Sequence, residues 1–291
     1  MIHWKFCIDP AHERPARISV LLCTLLAAYA CARILEAVSK TPPSVALIAL
    51  DVLCALAFAL VHGTRHYGLR GILVFTAICI VVGNVVENIG VATGFPFGHY
   101  YFGDLMGPKL FHVPVLLGLA YIGMAYVSWT LAQLIVGRSS RLIAVPLVAS
   151  FVMVAWDLAQ DAVWATILHG WYWLDGGAWF GVPISNYLGW FGNIFVIYVL
   201  FAFYLRRGRA MMARRRLYWR SAVCFYIFCA AGNVMQLLHK ADPAIVQDPA
   251  GRTWHAANIL AASALVSIFV MGAFAALAWL RMPASNEPVT G

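Results

Sequence analysis

LIAVPLVASFVMVAWDLAQDAVWATIL, residues 142–168, is apolar enough and long enough to cross a membrane, yet it carries two carboxylates, Asp157 and Asp161, in its second half. A charge placed there costs on the order of 3 kcal/mol even on lenient insertion scales. The spacing of four puts both acids on one helical face, with Gln160 and Trp164 on the same stripe. A helix that keeps two acids in lipid points to an intramembrane functional site and to a helical membrane protein around it.

The whole chain agrees. Of its 291 residues 63% are hydrophobic and 11% charged, and mean hydropathy is +0.80; soluble domains carry about 25% charged residues. A net charge of +8 would suggest a nucleic-acid partner in a soluble protein. Here it reflects topology, since basic residues collect in cytoplasmic loops, and no nucleic acid is expected. The seven cysteines lack metal-ligand spacing, and all but Cys7 lie in apolar runs, which reads as reduced thiols. Ala28-Tyr29-Ala30 could pass for a signal-peptidase site, but the polar lead is long and further spans follow, so a retained first helix is expected.

Eight runs of spanning length stand out, near 17–34, 44–61, 71–92, 111–136, 142–168, 184–206, 218–239 and 257–281. The fold class expected is therefore all-α, a polytopic helical bundle forming one integral membrane domain over 1–282, followed by a disordered tail at 283–291. With the N-terminus inside, 15 of the 20 lysines and arginines fall on the cytoplasmic side, with Arg33, Lys40, Lys109, Lys240 and Arg252 outside. That asymmetry predicts cytoplasmic termini in a bacterial inner membrane. RRGRAMMARRR (206–216) reads as an anchor for anionic lipid. HGTRHYGLR (62–70) reads as a cytoplasmic loop; its His62 and His66 lack a third ligand, so no metal is expected.

Two outer loops, TGFPFGHYYFGDLMGPKLFHVP (93–114) and HGWYWLDGGAWFGVPISN (169–186), are dense in Gly, Pro and aromatic residues. Such segments make poor helices. They suit either an interfacial aromatic belt or a lid closing over a site in the bundle. HVPVLLGLAY (112–121) is similar to GVPISNYLGW (181–190), as two copies of a helix–loop–helix unit would be.

At about 1.5 Å per residue, Asp51, Glu87, Asp157 and Asp161 lie roughly 8–17 Å below the outer surface. Asn84, Asn88, Asn186, Tyr187, Asn233, Gln236 and Asn258 fall at similar depth. One pocket beneath the aromatic loops is the reading, with Asp157, Asp161 and Glu87 as catalytic candidates. Asn88, Phe97, His99, Tyr100, Tyr101, Trp156, Trp164, Asn186, Tyr187 and Trp190 are the candidates for substrate binding. Neither a nucleophile–histidine pair nor a phosphate loop nor a haem pattern is present, so no cofactor is expected. A buried acid can stay protonated at neutral pH and protonate an alkene. Aromatic faces stabilise the resulting cation, and a second carboxylate can position the water that captures it. The substrate class that fits is an isoprenoid arriving from the bilayer.

ENIGVATGFPFGHYYF (87–102), GPKLFHVPVLLGLAY (107–121), AWDLAQDAVW (155–164) and GVPISNYLGW (181–190) resemble the CruF-type carotenoid biosynthesis membrane proteins, the carotenoid and bisanhydrobacterioruberin hydratases. The likeness covers about 62–192. It implies hydration of the terminal isopropylidene double bond of an acyclic, lycopene-like carotenoid to a tertiary alcohol without a redox cofactor, with other carotenoid-pathway enzymes as partners. Other readings stand beside it: a terpene cyclase, a UbiA-like prenyltransferase using DLAQD (157–161), and a lipid or small-molecule transporter.

Overall fold

The computed structural model describes residues 15–39, 42–137, 142–206, 216–240 and 244–282. Most of the Arg-rich stretch 206–216, Lys40 and the tail 283–291 lie outside them. Its helices are α1 (Pro15–Val38), α2 (Val45–Thr93), α3 (Val115–Val136), α4 (Ala144–Ala162), α5 (Ile184–Arg206), α6 (Arg216–Lys240), α7 (Ala256–Leu265) and α8 (Gly272–Leu280). A π-helical turn, Val163–Ile167, prolongs α4, and a second, Val266–Met271, joins α7 to α8. Seven of the resulting helical rods are long and apolar enough to cross a membrane.

The second rod accounts for the eighth span. Ser44 caps its start by accepting from Leu47 N, and Gly94, at φ 79, ends it by donating to Gly90 O. Between these caps lie 49 residues, more than twice what a bilayer needs. Gly68 sits in the left-handed region at φ 69, ψ 169, and there the chain reverses. A straight helix would separate Asp51 from Glu87 by about 50 Å, yet both line one cavity. A Cβ on Gly63 would lie 2.5 Å from Ile72 Cδ1, so the two arms press together just beyond the turn. The stretch read as a polar loop is thus a tight helical hairpin, and His62 and His66 are buried inside it. His62 Nδ1 meets Tyr126 Oη at 2.6 Å and its Nε2 meets the Tyr218 carbonyl at 2.9 Å.

α1 also runs further than hydropathy indicated. It carries Arg33 and Glu36 into the bundle, where each is only 4% exposed, so Arg33 is no outer-loop cation. Large side chains that stay exposed, such as Leu188, Phe269 and Leu280, lie on helices where lipid would cover them.

The two aromatic loops meet at one end of the bundle. Strand β1 (Tyr100–Phe102) begins this local structure, and a short hairpin pairs β2 (Lys109–Leu110) with β3 (Val113–Pro114). β1 pairs antiparallel with β4 (Trp171–Trp173), in the register Tyr100–Trp173, Tyr101–Tyr172, Phe102–Trp171. Gly103 N donates to Gly170 O at 2.9 Å and extends the ladder. Alternation along β1 turns Tyr100 and Phe102 into the bundle and Tyr101 outward. A third ladder, β5 (Ile245–Gln247) with β6 (Thr253–His255), lies alongside, and Asp248 between its strands packs at Gly181.

Gly177 closes the second loop. A Cβ there would lie 1.9 Å from the Val182 carbonyl carbon and oxygen, both backbone atoms. Gly177→Ala is expected to cost about 3 kcal/mol through overpacking and to lower the amount of protein in membranes several-fold. Gly192→Ala, where a Cβ meets nothing within 4 Å, should not. Immunoblots of membrane fractions compare the two.

Candidate active site

Asp161 is held by N–H donors from the second loop and the helix that follows it. Trp171 Nε1 donates to its Oδ1 at 2.7 Å and Asn186 Nδ2 to its Oδ2 at 2.6 Å. The Trp173 indole and the Tyr187 hydroxyl flank the same carboxyl, without well-aligned hydrogen bonds. The Trp171 and Asn186 N–H groups can only donate, so they suit a carboxylate. The π turn that begins two residues later ends in Leu168 N donating to Val163 O, and the chain then passes into β4, which brings Trp171 back over Asp161.

Glu87 is held by hydroxyls. Tyr100 Oη donates to Oε2 at 2.5 Å, and Tyr121 Oη donates to Oε1 at 3.3 Å. Burial, with the Glu87 and Asp161 carboxyls nearby, pushes the Tyr100 hydroxyl above its ordinary range and keeps it a donor.

Asp157 stands one turn before Asp161 and differs from both. Its buried Oδ2 has no hydrogen-bond partner among the described residues. No lysine, arginine or histidine forms an ion pair with any of these three acids among those residues.

The three acids face a cavity walled by Tyr100, Phe102, Tyr121, Trp156, Trp164, Trp171, Trp173 and Trp190. The chemistry this permits is proton transfer at an apolar group held against aromatic faces. Of the residues singled out in the sequence, Asp157, Asp161, Glu87, Tyr100, Trp156, Trp164, Asn186 and Trp190 are on its wall.

Asp51 and Gln160 line the cavity too, whereas the remaining substrate-binding candidates do not. Tyr187 lies beside Asp161 and is not on the wall. Phe97 is buried, 5.7 Å from the Trp190 ring centroid, and supports that ring from outside. Asn88 pins the first loop, its Oδ1 accepting from His112 N at 3.1 Å. His99 pairs with Asp175 at 2.7 Å on the exposed face, and Tyr101, 46% exposed, stacks on Tyr172. His99 and Tyr101 are therefore corrected from the pocket to the outer surface of the loops. Gln236 and the exposed Asn258 are absent from the wall, while Asn233 bonds to Arg33.

Sequence reasoning missed Arg33 and Glu36, which line the cavity's other limb with Asp51. Opposite charges three apart in an apolar run were the available signal. It also passed over Tyr121. Aligning the two Val-Pro segments makes Tyr121 equivalent to Trp190, and the two rings touch, with centroids 4.3 Å apart. The paired units thus sit side by side, joined through β1 and β4.

These features define a polytopic helical membrane protein with an acid-lined, aromatic cavity under paired loops. The chain belongs to the carotenoid biosynthesis protein family, whose profile matches residues 44–247. It is 30% identical over 134 residues to a bisanhydrobacterioruberin hydratase from Haloarcula japonica, a match covering 45% of this chain and 44% of that protein. The chain thus spans less than half the length of that curated relative. No solved structure matches it.

Proposed function

We propose that this protein is a carotenoid hydratase that adds water across the terminal isopropylidene double bond of an acyclic, lycopene-like carotenoid entering from the bilayer. The observation that carries the reading is Asp157, a carboxyl with one oxygen unpartnered among the described residues, set in an aromatic cavity with two acids that are hydrogen-bonded. Its proton goes to the less substituted alkene carbon and leaves a tertiary cation at the other. Trp156, Trp164 and Trp190 offer that cation their ring faces. A water oriented by Glu87 bonds to the cationic carbon and gives its surplus proton to the Glu87 carboxylate. That proton returns to Asp157 within the shared cavity, so one water is consumed and no other reactant is needed. Asp161, clamped by Trp171 and Asn186, supplies negative charge that opposes the cation's.

The family and the hydratase relative support this reaction class. The excess of Lys and Arg on one side supports an inner-membrane protein with cytoplasmic termini, its Arg-rich 206–216 stretch on anionic lipid. Other carotenoid-pathway enzymes are its expected neighbours.

Expression in a lycopene-producing bacterium tests the proposal. The expected product is a carotenoid with a tertiary hydroxyl whose oxygen comes from isotopically labelled water. Unchanged lycopene, with the protein present in the membrane, overturns it. A cyclised hydrocarbon reassigns the same acid to a cyclase.

A further inference from the structure

The cavity has a limb that the carotenoid reading does not use. Asp51 on α2 and Arg33 and Glu36 near the end of α1 line it, in the same cavity as Asp157. Glu36 and Lys240, near the ends of α1 and α6, lie within electrostatic range of each other at the loop end of the bundle. Arg33 donates to Glu36 at 2.6 Å and to Asn233 at 2.7 Å, but its buried Nε has no partner among the described residues. Asp51 Oδ1 is likewise buried and unpartnered.

A hydrocarbon chain cannot satisfy these atoms, and buried polar groups left without a partner are costly. Water can satisfy them, and buried polar groups without protein partners are where internal water sits. The aromatic limb, by contrast, is walled by rings and suits the polyene. We propose that the Glu36–Arg33–Asp51 limb is a water passage that brings the second reactant from the loop end of the bundle to Asp157, separate from the path of the polyene. That the water is a reactant rests on the hydratase reading; that the limb is wet does not.

Cysteine accessibility tests it. In a chain whose seven native cysteines are replaced, Val52→Cys and Asp51→Cys place a thiol in the limb. Leu53→Cys places one at the same depth on the opposite side of α2, where Leu53 is 49% exposed and Val52 4%. A charged, water-soluble methanethiosulfonate reagent reacts with thiolate, which forms only where water reaches. In isolated membranes the limb thiols are expected to react at least about tenfold faster than Leu53→Cys. Equal slow rates at Val52→Cys and Leu53→Cys overturn the proposal. Val52→Cys changes volume little and removes no polar contact, so it reports even where Asp51→Cys fails to fold. A dry limb with a hydroxylated product sinks the passage and leaves the hydratase standing. A labelled limb with unchanged lycopene supports the passage and sinks the hydratase.

Discussion

Asp157→Asn is expected to lower the conversion of lycopene by a hundredfold or more, the order by which a positioned general acid accelerates proton transfer. The protein should still accumulate in the membrane. Asparagine is nearly isosteric with aspartate, and Oδ2 of Asp157 gives up no hydrogen bond to the described residues in the exchange. What the variant loses is the proton that the alkene must receive. Asp161→Asn makes an informative contrast. An amide there must set its own NH2 against the Trp171 or the Asn186 N–H, which now meet carboxylate oxygens at 2.7 and 2.6 Å. That variant should lose folded protein as well as product. Pigment chromatography, normalised to protein measured by immunoblot, separates the two outcomes. Full conversion by Asp157→Asn removes the acid role from this residue.

Helix number and class were legible because a bilayer imposes a length on every crossing segment, and eight apolar runs met it. The turn at Gly68 was not. His62, Arg65 and His66 lower local hydropathy, as a solvated loop would, whereas the buried histidine is satisfied by Tyr126 and by a carbonyl on α6, 156 residues away. Depth was readable for the acids. Counting at a helical rise from the span ends put Asp157, Asp161 and Glu87 together, and they share one cavity. Orientation within the loops was not readable, because it depends on which residues pair. Once β1 lies against β4, the two-residue alternation sends Tyr100 toward Glu87 and Tyr101 to the surface. Arg33 escaped notice for a related reason. The apolar run closes at about 34, just past Arg33, whereas α1 continues to Val38 because its arginine finds Glu36 and Asn233 inside.

That ion pair sets the second large expectation, on stability. Arg33→Met leaves Glu36 and the Asn233 carbonyl oxygen buried without their donor, a kind of change that typically costs about 3–5 kcal/mol. In detergent this should lower the midpoint for loss of monodisperse protein on heating by on the order of 10 °C. Arg33→Met combined with Glu36→Gln should recover much of the loss, because removing both charges ends the need to hold either. Gly232 permits the native arrangement, since a Cβ there would lie 2.8 Å from Arg33 Nε. Asn233 in turn donates to Ser267 Oγ at 3.0 Å, so the pair also ties α1 to the π turn between α7 and α8. The size of the single-variant loss bears on the water passage as well. Water reaching Glu36 would hydrate the abandoned carboxylate and keep the cost near the lower figure, whereas a dry limb would drive it to the upper one. A single variant as stable as the parent would mean that Glu36 needs no internal counter-charge and that the pair does not hold α1 in the bundle.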